Sequence, residues 1–273
     1  MKTNKIERKG KMPMVVTAIA ALALLGVGAV VCYDKLKALY LEQCVITDLA
    51  EQVSITSGKM VKADVIAENL GLRKGANLAT IDFPEKRREL LAKVPNLKSI
   101  RISRQLPDKV TVTAEERSPV ARLGLCRAQD PSGRVVDTEG MVFVWQRGTQ
   151  TLPLIRENQA PGTSRGCFIQ GRTMAALRLV EVCREAEFLE LGLLEVDTSK
   201  HDFLFATLGN YSKLKILWNG MDDPTPESAA DLRKRLTQLR DAIRAKVVPN
   251  AVIWNATIPD RIFLDTQEKI LTL

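Results

Sequence analysis

The chain has one histidine, His201, and it is followed by Asp202. In an acid–base or nucleophilic site such a carboxylate would orient the imidazole toward a reacting atom. That chemistry also needs a nucleophile presented at a pocket, and no G-x-S-x-G elbow or similar turn occurs. Glu115 and Glu116 occupy consecutive positions of an expected strand, so their side chains point to opposite faces and do not act together on one bond. They read as surface charges or as partners of Arg117. The pair Gly71-x-x-x-Gly75 lacks the Lys-Ser/Thr that completes a phosphate loop. Five cysteines lie at 32, 44, 126, 167 and 183, none in C-x-x-C spacing, so zinc and dithiol redox chemistry are not expected. In an oxidising exterior four of them can pair in about three ways, with Cys126 and Cys167 foremost because both fall in one strand-rich region. Cys183, on the apolar stripe of an expected helix, reads as a small buried hydrophobe. The expectation is therefore a protein with no catalytic site, cofactor, metal or nucleic-acid partner.

The elements that would position any binding surface begin with an anchor. Residues 14–32 read MVVTAIAALALLGVGAVVC, without a charged side chain, and a helix of that length reaches roughly 28 Å, close to the hydrocarbon thickness of a bilayer. Lys2, Lys5, Arg8, Lys9 and Lys11 precede it, opposed by Glu7 alone, which keeps the N-terminus in the cytoplasm. The run is longer than a signal-peptide core and ends without a small-x-small cleavage site. Val31 before Cys32 does not suit lipoprotein processing. The remaining length accommodates two domains of ordinary size, and the net charge of +8 resides partly in the cytoplasmic tail. Interleaved signs, as in Glu85-Lys86-Arg87-Arg88-Glu89, read as a solvated face.

Beyond a helical stalk at 35–46, alternation predicts a strand at 53–56 and apolar spacing a helix at 62–70, with Gly71 as its C-cap. Asp82 is the expected N-cap of a helix at 84–93. Strands at 97–104 and 109–116 follow, with Ile100, Ile102, Val110 and Val112 on one face and Arg101, Arg104, Thr111 and Thr113 opposite. Ser118-Pro119 marks a boundary. Next come a strand at 120–127, a hairpin of 133–137 with 141–145, an ordered loop at 152–171 and a helix at 173–189. Strands at 193–197, 203–208 and 213–218 precede a helix opened by Thr225 and Pro226. Leu232, Leu236, Leu239 and Ile243 form its inner stripe, with Arg233, Lys234, Arg240 and Arg244 outward. Strands at 251–256 and 261–265 close the pattern around Ile258-Pro259-Asp260.

The segment Leu91-Ala92-Lys93-Val94-Pro95-Asn96-Leu97 through Ile102-Ser103-Arg104-Gln105-Leu106-Pro107-Asp108-Lys109-Val110-Thr111-Val112, then Glu116-Arg117-Ser118-Pro119-Val120-Ala121, resembles the "L-x-x-x-P-x-V … V-x-R-x-x-P-x-x-x-x-I-x-V … E-R-x-P-x-A" of the FtsQ/DivIB bacterial division proteins. Val136-Asp137-Thr138-Glu139-Gly140-Met141-Val142-Phe143 is similar to that family's "I-D-x-x-G-x-V-F", and Leu152-Pro153 to its following "L-P". The chain departs from the family at Asn96, where an aromatic is common, and at Trp254-Asn255-Ala256-Thr257-Ile258, where "I-D-L-R-Y" is usual. The resemblance implies an α+β chain: a cytoplasmic tail at 1–13, one transmembrane helix at 14–34, the stalk at 35–46, a β-α-α-β-β POTRA domain at 47–118, and a mostly antiparallel β domain with two helices at 119–273. It implies a non-enzymatic, single-pass inner-membrane scaffold at the division septum, with its C-terminal part periplasmic. That scaffold would bind FtsB/FtsL-type partners through its last strands and other division proteins through the POTRA domain. A terminal strand edge suits such binding on physical grounds as well, with Trp254, Ile258, Ile262, Phe263 and Leu264 as the candidate contact residues. The alternative reading is an envelope protein that acts on, or regulates, peptidoglycan-modifying enzymes.

Overall fold

A charge-free apolar run near the N-terminus, followed by short alternating segments broken by Gly and Pro, gives one long helix and then two sheets. The computed structural model of the chain describes residues 12–105, 107–125, 133–146, 148–157, 165–223, 225–245 and 253–265. Contacts divide the chain into two units, Met1–Leu90 with Ile100–Ala114, and Leu91–Ser99 with Glu115–Leu273.

The first unit begins with helix α1 (Met12–Gln43), which covers the whole apolar run. Among the described residues no helix is long and apolar enough to cross a membrane. The side chains of residues 12–24, which supply most of that run, lie outside the described ones. After α1 come α2 (Leu49–Gln52), β1 (Val53–Thr56), α3 (Ala63–Leu70), α4 (Phe83–Lys93), β2 (Leu97–Gln105) and β3 (Lys109–Glu116), of which Leu91–Ser99 and the last two residues of β3 are counted with the second unit. The three strands form a sheet in the order β1-β3-β2, with β1 parallel to β3. Gly71 ends α3 at φ 74°, its N–H bonded back to Ala67 and Glu68, the left-handed cap that glycine adopts without a Cβ penalty. Asp82 Oδ1 accepts the N–H of Glu85 at 3.0 Å, as an N-cap does. Val110, Val112 and Ala114 are buried along β3 while Thr113 is exposed.

Arg104 is not on the face opposite Ile100 and Ile102. It shares their parity, lies 4.5 Å over the Phe83 ring and donates to the Ile81 carbonyl at 2.8 Å. The period of two places it there, and its stem and guanidinium cover an aromatic rather than project from the outer face.

The second unit is built on β4 (Ala121–Leu125), β5 (Arg134–Val136), β6 (Val142–Val144), β7 (Leu154–Glu157), α5 (Gly171–Cys183), β8 (Glu195–Asp197), β9 (Leu204–Thr207), β10 (Lys213–Ile216), α6 (Pro226–Arg244), β11 (Ile253–Ala256) and β12 (Phe263–Leu264). They form one nine-stranded sheet in the order β12-β11-β10-β9-β8-β7-β4-β5-β6. Most of its strand pairings are antiparallel, as expected, but three are not: β4 with β7, β7 with β8, and β10 with β11 run parallel. Two of these parallel steps are made by crossover helices, α5 between β7 and β8 and α6 between β10 and β11, since parallel neighbours need a long connection. Strand β7 lies where a loop is expected, and α5 stops at Cys183 rather than running to 189. Beyond it, Phe188 turns fully into the core, and Gly192 at φ 58° closes the following 3-10 turn.

One face of the sheet and the two helices share a core that includes Ile155, Leu177, Val180, Val196, Leu214, Leu236 and Trp254. Helix α6 starts as its residues dictate, with Thr225 Oγ1 accepting the N–H of Ser228 at 3.1 Å. Arg233, Arg240 and Arg244 pair with Glu185, Glu187 and Glu190 at 2.6, 2.7 and 2.6 Å. Cys32, Cys44, Cys167 and Cys183 are free thiols. Cys126 lies outside the described residues, and with it the pairing expected to Cys167. Burial pushes the Cys183 thiol up to about 12.

Candidate functional site

The sheet of the second unit ends differently on its two sides. At the β6 end the segment 166–169 runs along the strand: Gly166 N–H donates to Val142 O at 2.8 Å, Val142 N–H to Cys167 O at 2.9 Å, and Ile169 N–H to Gly140 O at 2.8 Å. That edge is covered. At the other end β12 pairs with β11 through Trp254↔Leu264 and Asn255↔Phe263, and Asp265 N–H donates to Ile253 O at 2.8 Å. Bonding therefore alternates through 263 and 265, which turns the N–H and C=O of Leu264 away from β11. Among the described residues no strand lies beyond β12.

Charged side chains hold this short edge strand. Lys215 on β10 reaches across β11 to Asp265 at 2.9 Å, the two side chains 11 % and 16 % exposed. Asn255 Nδ2 approaches the same carboxylate at 3.4 Å, and Asn255 Oδ1 accepts from the N–H and hydroxyl of Thr257 at 3.0 and 2.7 Å. Arg235, buried on α6, donates to Asp231 Oδ2 at 3.0 Å and to the Ala256 carbonyl at 2.8 Å. Lys234 pairs with Asp260 at 2.6 Å, and this contact is the main reason the Asp260 carboxyl sits below its ordinary value. Asp260 occupies the turn at φ 59°.

The five residues expected at a partner edge separate into three groups. Trp254 is 7 % exposed and belongs to the core. Ile262 and Leu264 are partly buried and packed against that core. Phe263 and Ile258 are exposed, at 40 % and 46 %. The supporting residues Lys215, Arg235, Asp260 and Asp265 carry no local signal of their role. Only the period-two pattern, which places Lys215 and Asp265 on the solvent face, hints at one.

A second polar node lies around Arg117. Its Nη1 donates to Asp137 Oδ2 and, at 2.8 Å, to Glu139 Oε2, and Lys98 adds a contact to Glu139 at 3.3 Å. Arg117 is therefore the partner of Asp137 and Glu139, acids that follow it in the chain rather than precede it. Burial opposes its charge, and the hydrogen bonds to Glu139 and Asp137 outweigh burial and raise its pKa. Bonding to Arg117 first and Lys98 second holds the Glu139 carboxyl below its ordinary value. Asn96 donates from Nδ2 to Val144 O and accepts the Arg117 N–H, both at 2.8 Å. His201 is exposed, with Asp202 at 3.4 Å. Among the described residues no cluster of His, Cys, Asp or Glu could hold a metal.

The described residues thus give a three-stranded module with its helices, followed by a nine-stranded sheet covered at the β6 edge and, among the described residues, without a further strand at the β12 edge. Residues 49–117 match the family of the FtsQ-type POTRA domain. The chain thus carries an FtsQ-type POTRA domain, which supports its resemblance to the FtsQ/DivIB division proteins. No curated protein matches the chain.

Proposed function

We propose that the protein is a bitopic scaffold of the bacterial division complex, anchored in the inner membrane through residues 14–34. Its N-terminus faces the cytoplasm, its two folded units lie outside at the septum, and it links cytoplasmic division proteins to septal wall synthesis. The FtsQ-type POTRA domain points to a role in cell division, and domains of this type are in general non-catalytic. In this reading the POTRA domain contacts other division proteins, and the β12 edge takes a strand from an FtsB/FtsL-type partner.

The observation that carries the partner assignment is the asymmetry of the nine-stranded sheet. Segment 166–169 covers one edge, while the other turns the Leu264 backbone outward beside exposed Phe263 and Ile258. An added strand completes such an edge through main-chain bonds, and alternate side chains supply specificity. Phe263→Asp places a charge on that surface without disturbing the core. The expected outcome is loss of FtsB/FtsL-type proteins from pull-downs at unchanged thermal stability. A folded variant that captures them undiminished overturns the edge assignment.

A further inference from the structure

The face of the nine-stranded sheet turned away from α5 and α6 holds a cavity of about 770 Å³. Three cationic side chains face it, Arg122 on β4, Arg156 on β7 and Lys213 on β10, against one carboxylate, Glu195. Glu195 lies 2.7 Å from Arg156. Two of the cations bond to neutral oxygens: Arg122 Nε donates to Leu152 O at 3.0 Å, and Lys213 Nζ to Thr207 Oγ1 at 2.6 Å. Apolar wall comes from Leu154, Leu193 and Leu194.

At the rim stands Tyr211, 76 % exposed and held at φ 63°. The β9–β10 turn closes through Leu208 N–H to Ser212 O at 3.0 Å and Tyr211 N–H to Leu208 O at 2.9 Å. Asn210 Oδ1 accepts from the Ser212 N–H and hydroxyl at 3.0 and 2.6 Å. None of these bonds uses the tyrosine ring. A left-handed conformation is unfavourable for a residue with a bulky side chain, whereas glycine forms such a turn without that cost and asparagine tolerates it. An exposed aromatic kept there against its backbone preference is suited to contact with a ligand.

We propose that this face is a second binding site, separate from the β12 edge, for an extended acidic peptide segment. The spacing of the charges selects an extended ligand over a small anion. Arg122 and Lys213 lie on strands four steps apart in the order β4-β7-β8-β9-β10, roughly 19 Å at the ordinary interstrand distance, or about six residues of extended chain. One small anion does not reach both. The strands beneath are already paired on both sides, so recognition runs through side-chain charge and the tyrosine ring rather than through strand addition.

The test uses the full chain in detergent micelles and a fluorescein-labelled octapeptide alternating glutamate and leucine, read by anisotropy. Binding is expected to weaken with salt, to fall about tenfold or more in Arg122→Gln/Lys213→Gln, and to persist in Phe263→Asp. Tyr211→Gly is expected to keep or raise the melting temperature while weakening the peptide severalfold. Equal affinity for the glutamine–leucine peptide, full competition by millimolar citrate, or loss of binding in Phe263→Asp overturns the site. So does unchanged affinity in both the folded double variant and Tyr211→Gly. A labelled oligothymidylate bound more tightly than the acidic peptide, and weakened by the same variants, overturns the peptide assignment.

Discussion

Asp137 uses both of its carboxylate oxygens. Oδ2 accepts from Arg117, while Oδ1 accepts the N–H of Glu139 at 3.1 Å and of Met141 at 2.9 Å, folding the turn that carries Gly140 at φ 84°. A Cβ on Gly140 would lie 2.6 Å from Met174 Cε and 3.1 Å from Ile169 Cγ1. The two sequence blocks Glu116-Arg117 and Val136-Asp137-Thr138-Glu139-Gly140 are thus one structural node, an ion pair built on a turn that requires glycine. Gly140→Ala should cost about 2 to 4 kcal/mol, from left-handed strain and overpacking together, seen as a lower urea midpoint with unchanged slope. A loss under 1 kcal/mol would show that the turn relaxes. The same node predicts acid sensitivity. The folded pKa of Glu139 is lowered, by Arg117 and then Lys98, so its contribution is present above the ordinary carboxylate value and is lost as pH falls through the lowered folded value. Between about pH 7 and about pH 3, Glu139→Gln should lose less stability than the parent chain, measured as the change in urea midpoint. Equal losses would place the acid response in other carboxylates.

Among the elements, those governed by local chemistry are legible in the sequence. Strand β1, the Gly71 cap, the Asp82 cap, β2, β3 and the Thr225-Pro226 start of α6 all follow from residues adjacent to them. Strand β7 does not, because its four residues sit among Pro153, Pro161 and several glycines, and it is held by partners distant in sequence, β4 on one side and β8 on the other. Parallel pairing was hidden for the same reason, since no local period reports which strand lies alongside. At the candidate edge the alternating pattern marked Phe263 and Leu264 but gave no means to separate Trp254, which fills the core. What the pattern could not supply was the direction of the Leu264 backbone. Leu264→Pro removes an outward N–H that the ladder does not use, and the preceding Phe263 is already extended, as a residue before proline prefers. The variant is expected to fold with a modest loss of stability and to lose FtsB/FtsL-type partners. Leu264→Ala, which keeps the N–H, is expected to retain them. Equal retention by both would mean that docking is through side chains alone.

At the scale of the whole molecule, the decisive physical question is what surrounds the first half of α1. The helix has 32 residues, about 48 Å of length, and the charge-free stretch occupies about 28 Å of that. The stretch from Leu25 to Tyr40 keeps Leu25, Val27, Val30, Tyr33, Leu36 and Leu39 more than half exposed, an apolar surface that water alone does not favour. At and just beyond the end of α1 the chain is fastened to the rest of the first unit, with Asn77 Nδ2 donating to the Leu41 carbonyl at 2.7 Å and Ile46 N–H to Ala76 O at 2.8 Å. A bilayer around 14–34 would therefore hold the POTRA fold close to the membrane surface. Val27→Lys with Val30→Lys adds two charges near the outer half of the run, about 5 to 7 kcal/mol against insertion if they lay at its centre. The parent chain should remain in the membrane pellet after alkaline carbonate extraction, whereas the double variant should move substantially to the supernatant. In spheroplasts, added protease should remove a C-terminal epitope and spare an N-terminal one. A parent chain released by carbonate, or both epitopes protected, would overturn the membrane orientation while leaving the edge of β12 and the basic sheet face to be judged by their own variants.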